Sequence, residues 1–257
     1  MRAVGSLWWR EILRFVRQRS RVTGALVQPL LFWLLLGSGL SPSFRPQGAS
    51  AGLGYLAYLY PGILVLVLLF TAIFATISTV EDRQSGFLQG VLASPLARSA
   101  IVLGQALGGT TLAVGQGAIL LLLAPLAGLS LSLPGLLASV VVLALVGFAL
   151  TSLGLVIAWR LESTQGFHAI MNLILIPIWL LSGAFFPASG VASPLAWVMR
   201  LDPLTYGLAA LRRCLAFQGP TPAAELPGLA FSLGVTLLFG AAMFGVAAAT
   251  ARRSPAA

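Results

Sequence analysis

The sequence predicts an all-α, polytopic membrane protein with six transmembrane helices, an N-terminal amphipathic interfacial helix and short re-entrant helices before the last span. Charged residues make up only 8% of the 257 residues, against roughly 25% in an ordinary soluble domain, and the mean hydropathy is +0.98. Asp, Glu, Arg and Lys are absent from five long runs, which are 22–44, 46–80, 99–159, 163–199 and 226–251. A helix needs roughly 20 apolar residues to cross a bilayer, so each run can hold one crossing and the third can hold two.

The order of these runs gives the predicted spans, which are 22–41, 58–80, 101–127, 134–159, 167–187 and 227–250. Prolines and glycines between 125 and 135 divide the longest run in two. Residues 1–257 therefore form a single predicted transmembrane domain, and its first span is expected to remain uncleaved. With the N-terminus in the cytoplasm, all of the 15 arginines except Arg45, Arg200, Arg212 and Arg213 fall on the cytoplasmic side. This bias predicts a multi-pass protein of the cytoplasmic (inner) membrane with both termini in the cytoplasm.

The composition excludes several classes of function. One cysteine, Cys214, and one histidine, His168, leave neither an intrachain disulfide nor a Cys- or His-rich metal site, so we expect no metal and no bound cofactor. The net charge of +9 is due to arginines beside the spans, which favours an anionic lipid surface as partner and not a nucleic acid. A P-loop needs a lysine at the nucleotide phosphates, and the chain has none. The protein is therefore not expected to be an enzyme of that class, and any ATP must be hydrolysed by a partner.

Residues 1–21 are predicted to form the interfacial helix. Arginines spaced 4, 3 and 4 residues apart share one helical face: Arg10, Arg14, Arg17 and Arg21. A roughly opposite apolar stripe, with Glu11 beside it, consists of Val4, Trp8, Ile12 and Phe15. This pattern predicts a helix with its apolar side in lipid and its arginines toward headgroups or a partner. Two functions fit, a positive-inside anchor or a cytoplasmic elbow helix that contacts a second subunit.

The segment 81–98 is the most distinctive predicted cytoplasmic stretch. It is short, amphipathic in composition and bracketed by charges. Glu81 and Asp82 are expected near a helix N-terminus, where negative charge is favourable, and Pro95 is expected to end that helix. The segment is either an ordinary loop that returns the chain to the membrane or a docking helix that enters a groove of a soluble subunit.

The predicted outer segment after the fifth span is too apolar for a solvated loop and too rich in prolines and glycines for a straight span. Short helices that dip into the outer leaflet satisfy both observations, provided that protein covers their broken ends. Asp202 is expected to cap the helix that begins near Leu204, and Arg212 lies near the far end of that helix.

These stretches resemble the ABC-2 type transporter permeases, the membrane subunits of a class of ABC exporters that includes drug and lipooligosaccharide exporters. The matching elements are the amphipathic start, EDRQSGFLQGVLASPLAR at 81–98, LSGAFFP at 181–187 and DPLTYGLAALR at 202–212. Many relatives have Asn at the position of Asp202. The resemblance implies a complex with two ABC ATPase subunits, which bind ATP and Mg, and with a second copy of the permease or a sister permease.

The resemblance also implies roles for particular residues. The ATPase-docking coupling segment would use Glu81, Asp82, Arg83, Gly86, Phe87, Leu88, Leu92, Pro95 and Arg98. The interfacial helix would contribute Arg10, Glu11, Arg14 and Arg17. Re-entrant helices within 188–222 would form an outer gate together with the residues before them, and the candidates are Phe186, Pro187, Asp202, Pro203, Tyr206 and Arg212.

Polar side chains within the predicted spans have two interpretations. Gln105 and Gln116 lie on nearly the same face of the third span, and Asn172 lies in the fifth. They either pack helices together or line a path for a hydrophobic, amphiphilic or lipid-linked substrate. An export permease is the leading functional hypothesis. An ion- or proton-coupled secondary transporter is the alternative, although such proteins place ionisable groups near the bilayer midplane and these spans contain no Asp, Glu, Arg or Lys.

Overall fold

The structure is a computed structural model, and it describes residues 2–40, 55–186, 191–215 and 227–253. Within these ranges all regular elements are helices, joined by short turns, and there is no β-strand. The first five helices are α1 (Arg2–Arg17), α2 (Arg19–Leu40), α3 (Tyr55–Gln84), α4 (Phe87–Ala93) and α5 (Arg98–Leu121). The remaining five are α6 (Leu133–Ala158), α7 (Thr164–Trp179), α8 (Ser193–Leu201), α9 (Pro203–Leu215) and α10 (Leu229–Arg253). The predicted all-α class is confirmed.

The third helix, α3, lies at the centre of the structure. It is apolar on all sides and almost entirely buried, as expected for a helix with no polar face. Helices α2, α5, α6 and α7 surround it, and α10 packs on the outer side of α6 and α5. By contrast, α2 and α10 leave most of their surface exposed, and their exposed residues are largely apolar. Apolar exposure of this kind suits helices that face lipid.

Five helical segments are long and apolar enough to cross a membrane. They are Arg19–Gly39, Tyr55–Gln84, Leu133–Ala158, Thr164–Ala184 and Leu229–Arg253. The predicted third span corresponds to α5, which is also continuous over 24 residues. Helix α5 contains two glutamines, two threonines and several glycines, and it is not among these five segments. The structure therefore supports five spans by length and composition, and the sixth crossing stays a prediction.

The breaks between helices follow the sequence signals. A 3-10 turn at Ala124–Ala127 ends in Gly128, whose φ of 81° reverses the chain between α5 and α6. Ser132 then caps α6, because its side chain accepts a hydrogen bond from the Gly135 amide. At the end of α7 the helix widens into a π-turn at Leu180–Ala184, where Gly183 has a φ of 83°. Two short helices, α8 and α9, occupy the described part of the predicted re-entrant segment, and their re-entrant position stays a prediction.

Candidate functional site

Helix α4 forms the centre of the predicted coupling segment. Gly86 separates it from α3, since its φ of 75° lies in the left-handed region that glycine adopts without strain. Leu88 of α4 is buried in an apolar cluster, and Leu92 is partly buried against the same cluster. Phe87 is 42% exposed, and Gln89, Gly90 and Ala93 are exposed as well. The helix ends at Ser94, and Pro95 is exposed beyond it. One face of α4 thus anchors it, while the other face remains open.

Glu81 and Asp82 do not lie at a helix N-terminus, which corrects the sequence prediction. Helix α3 continues past the apolar run to Gln84, so both acids fall in its last turn. Negative charge is unfavourable at that end of a helix dipole, and Asp82 is also almost fully buried. Both effects make a nearby positive charge favourable for the two carboxylates, and arginines of α1 provide that charge.

Arginines of the N-terminal region bind these acids directly. The Arg10 guanidinium makes two hydrogen bonds to the Asp82 carboxylate, each 2.7 Å long. Arg14 bridges the two acids, at 2.5 Å from Asp82 Oδ1 and 2.7 Å from Glu81 Oε2. Arg21, at the start of α2, pairs with the other oxygen of Glu81. Such bidentate and bridging bonds are among the stronger polar contacts in proteins.

Glu11 adds a third acid to this group, which we call the α1–α3 ion cluster (Arg10, Glu11, Arg14, Arg21, Glu81 and Asp82). The Glu11 side chain accepts a 2.7 Å hydrogen bond from the Ser78 hydroxyl and a 3.1 Å bond from Arg10. It is only 4% exposed. Burial is the main reason that the pKa of Glu11 is raised above its usual value. The cluster is balanced, with three guanidinium groups and three carboxyl groups.

The predicted lipid-facing stripe of α1 packs instead on protein. Gly104 and Gly108 of α5 let α1 approach closely, because a Cβ at these positions would lie 2.8 Å from Cβ of Leu7 and 2.7 Å from Cβ of Glu11, which are beside the stripe. Trp8 Nε1 donates a 3.0 Å hydrogen bond to Thr111 Oγ1 of α5, and Phe15 is buried. The expectation of a lipid contact for this stripe is therefore wrong.

The apolar side chains of α1 that remain exposed are Trp9, Leu13 and Val16. Arg17 is also exposed, and it has no acidic partner within the described ranges.

Arg83 and Arg98 bind backbone carbonyl groups of other helix ends. Arg83 donates to the carbonyls of Trp159 and Leu161 at 2.8 and 2.7 Å, which ties the end of α3 to the turn between α6 and α7. Arg98 donates to the Ala251 carbonyl at 3.0 Å and so caps α10. These two arginines therefore hold the coupling segment in place, and their donors are at least partly used within the chain.

An open groove separates α1 from α4. Its volume is about 490 Å³, and its lining consists of Ala3, Ser6, Leu7, Phe87, Gly90, Val91, Ser94 and Leu96. The Arg10 guanidinium lies 3.9 Å from the centre of the Phe87 ring, so Arg10 contacts both the ion cluster and α4. A small, mostly apolar groove beside an exposed aromatic ring is a surface on which a helix of another protein can dock.

The opposite end of the structure contains the other predicted residues. Asp202 Oδ1 accepts a 2.9 Å hydrogen bond from the Leu204 amide, so the predicted cap of α9 is confirmed. Burial raises the pKa of Asp202 to about 7. Pro203 begins α9, and the Tyr206 hydroxyl donates to the Arg200 carbonyl at 2.7 Å.

The Arg212 side chain, near the far end of α9, binds the π-turn at Leu180–Ala184. Its guanidinium donates to the Gly183 carbonyl at 2.8 Å and lies 4.4 Å from the centre of the Tyr58 ring. The Tyr58 hydroxyl donates to the same carbonyl at 3.1 Å. Phe186 is half-buried close to this π-turn in the sequence, and Pro187 lies outside the described residues. The sequence pattern contained no signal for Tyr58, because this contact joins residues 125 positions apart.

The three polar residues proposed to line a path do not share one environment. Gln105 and Gln116 are buried on α5, and Gln116 Oε1 accepts a hydrogen bond from the Thr71 hydroxyl of α3. Asn172 lies on the exposed side of α7. Gln105 Oε1 and Gln116 Nε2 are buried without a hydrogen-bond partner among the described atoms. The contact of Gln116 with α3 favours the packing interpretation for that residue.

The fold and site together define a helical membrane protein in which an exposed helix, α4, lies at one end beside a cluster of ion pairs. A model of the ABC-2 type transporter family matches residues 2–215, and the chain therefore belongs to that family, as its motifs predicted.

Among curated relatives, nodulation protein J of Rhizobium leguminosarum bv. trifolii is 29% identical over 80% of this chain and 79% of its own. The protein of the same name from Rhizobium leguminosarum bv. viciae is 26% identical over 96% and 93%, respectively. A third relative, "Putative transport permease ycf38" of Cyanophora paradoxa, is 26% identical over 79% and 70%.

Proposed function

We propose that the chain is the permease subunit of an ABC exporter that moves a hydrophobic, amphiphilic or lipid-linked substrate out across the cytoplasmic membrane. Membership of the ABC-2 type transporter family and the word permease in the name of one relative support transport. The absence of lysine from the sequence excludes a P-loop of its own, so a separate ATPase subunit hydrolyses the ATP. Two ATPase copies and a second permease, identical or a sister chain, complete the proposed complex.

The proposed topology has six spans, with α5 as the third and both termini in the cytoplasm. Helix α5 is long enough to cross at 1.5 Å per residue. Its two glutamines are tolerated at membrane depth because both are buried within the bundle instead of facing lipid. In this topology α4, the ion cluster and the ends of α6 and α10 lie on the cytoplasmic side, where arginine is enriched. Helices α8 and α9 lie on the outer side and would contribute to an outer gate.

The observation that carries the proposal is the α1–α3 ion cluster beside the exposed face of α4. A subunit that binds in the groove between α1 and α4 would press on Phe87, which Arg10 contacts. Arg10 and Arg14 would pass that displacement to the end of α3, the most buried of the five candidate spans. The close contact at Gly108 would pass it to α5. ATP-driven movement of the docked subunit would thus act on the central helices directly.

Gly90 offers a sharp test of the docking surface. It lines the groove, and a Cβ at this position would have no atom within 4 Å, so Gly90→Trp fills the groove without disturbing the permease. Gly234 of α10 is also exposed with open space around it, and Gly234→Trp is the matched control. Each tagged variant is extracted gently from the native membrane, and its co-purified ATPase is quantified by mass spectrometry.

We expect the ATPase to be lost from Gly90→Trp and retained by wild type and Gly234→Trp, with all three eluting as folded protein in size-exclusion chromatography. Retention of the ATPase by Gly90→Trp would refute the docking surface. An abundant, folded wild-type protein without any ATPase would refute ATP-driven export itself.

A further inference from the structure

A second pocket, formed between the end of α6 and the last turns of α10, has a different character from the docking groove. Its volume is about 220 Å³, and its lining residues are Arg160, Val246, Ala249, Thr250 and Arg253. A water molecule takes about 30 Å³ in the liquid, so the space is large enough for a headgroup. Residues 246, 249, 250 and 253 follow one face of α10.

The two arginines of this pocket differ from those of the coupling segment. Arg10, Arg14 and Arg21 bind acids, and Arg83 and Arg98 bind carbonyl groups. Arg160 and Arg253 are exposed, and in the part of the chain that the structure describes neither pairs with a carboxylate. Two like charges that converge on one pocket repel each other, and an anion between them removes that repulsion.

The ends of two helices would ordinarily oppose an anion here, because a helix C-terminus carries a partial negative charge of about one half. Arg98 offsets this effect for α10, since its guanidinium caps the Ala251 and Arg252 carbonyls. Two full positive charges therefore line the pocket, against the partial charge of the α6 terminus and the single charge of Glu162, which is exposed two residues after Arg160. The electrostatic balance favours an anion of one or two charges.

Apart from Thr250, the remaining walls are apolar and continue along the span. Val246 is 38% exposed, and Ala249 is also exposed. Both precede Arg253 on a helix that can cross a membrane, so the exposed apolar strip runs from the basic pocket toward the bilayer interior. We propose that this pocket binds the phosphate of an anionic phospholipid between Arg160 and Arg253, with an acyl chain along Val246 and Ala249. Basic pockets between transmembrane helices on the cytoplasmic side commonly bind such lipids. The inference rests on the membrane location of the chain and not on ATP-driven export.

Native mass spectrometry of the purified full-length protein tests this site. The probes are dioleoylphosphatidylglycerol, dioleoylphosphatidylcholine and glycerol 3-phosphate. An arginine near an anionic lipid contributes about 1 kcal/mol, which is about fivefold in affinity. We expect each of Arg160→Gln and Arg253→Gln to weaken phosphatidylglycerol binding about fivefold, and the double variant to weaken it roughly 30-fold, toward the level of phosphatidylcholine. The control Arg252→Gln removes an adjacent exposed charge that does not line the pocket.

Four results would overturn the assignment. Unchanged preference for phosphatidylglycerol in the double variant would place the lipid elsewhere, and an equal loss in Arg252→Gln would reduce the effect to net charge. Displacement of the lipid by an equal concentration of glycerol 3-phosphate would identify a site for a free anion. Loss of a co-purified ATPase from the double variant with lipid preference intact would identify a protein-binding surface instead. Because lipid binding needs no ATPase, this test is independent of the one at Gly90.

Discussion

Replacement of Asp82 by Asn should release α1 from the core of the protein. The substitution preserves the shape of the side chain but removes the charge that holds Arg10 by two hydrogen bonds and Arg14 by one. Loss of one partner from a buried pair costs about 3–5 kcal/mol. The side chains of Arg10 and Arg14 are 31% and 23% exposed to solvent, respectively, and Glu81 continues to bind Arg14. We therefore expect a smaller loss of about 2–3 kcal/mol in the free energy that holds α1 in place.

Hydrogen exchange of the α1 amides in detergent or nanodiscs measures this free energy locally. Asp82→Asn should raise the exchange rate throughout α1 by about 30- to 150-fold, which corresponds to that loss at 1.4 kcal/mol per factor of ten. Arg17→Gln is the matched control, because Arg17 lies on the same helix, is exposed and has no acidic partner among the described residues.

A double-mutant cycle with Arg10→Gln identifies the pair responsible. If the Arg10 and Asp82 contact is formed, the two substitutions together should cost clearly less than the sum of their separate effects, by about 1–3 kcal/mol. Simple additivity, or an effect of Asp82→Asn no larger than that of Arg17→Gln, would show that the ion cluster does not hold α1 and would remove the proposed link between α4 and α3.

Three further predictions follow from other contacts. Gly108→Leu should displace α1 because its Cβ would lie 2.7 Å from Glu11 Cβ, and α1 amide exchange should rise strongly, whereas Gly115→Leu, in open space on the same helix, should have little effect. Asp202 has its pKa raised from 3.8 to about 7, so its contribution to stability is full below pH 4 and declines by about 1.4 kcal/mol per pH unit up to pH 7. Asp202→Asn should abolish this decline in melting temperature, and an unchanged pH profile would contradict the burial of the carboxylate. Arg212→Gln should remove one charged hydrogen bond, which lowers the stability of the π-turn at Leu180–Ala184 by about 1–2 kcal/mol. Amide exchange in that turn should therefore rise, and unaltered exchange there would show that Arg212 does not hold the turn.

The sequence predicted the helical class and most helix positions because charge exclusion and hydrophobicity are local properties. The 4, 3 and 4 spacing of the arginines correctly predicted a shared face, and three of the four bind the acids at or near the end of α3. The spacing did not identify the partner of these arginines, since nothing in it distinguishes a lipid phosphate from a carboxylate 60 or more positions away. The uncharged run ended at 80 and suggested a helix end there, whereas ion pairing extends α3 to Gln84.

The same limit explains the error over the apolar stripe of α1. An amphipathic helix looks alike in sequence whether its apolar side meets lipid or a neighbouring helix. The relevant signal was on the partner, because Gly104 and Gly108 form a small-residue surface on α5 that lets another helix approach closely. The sequence contained both halves of this contact, but pairing them required the three-dimensional arrangement.

Polar contacts explain which helices should move together. In a membrane, apolar side chains gain little by leaving lipid for a neighbouring helix, so close packing and hydrogen bonds determine helix association. The chain has only six acidic residues, and three of them lie in the α1–α3 ion cluster. That cluster joins α1, α2 and α3 at one end, and the α1–α5 glycine contact adds α5. Helix α10 joins this group through Arg98, the first residue of α5, which caps its C-terminus. Charged contacts therefore connect α4 to α3 on one side and to α10 on the other. An ATPase docked on α4 would need these contacts in order to move the bundle.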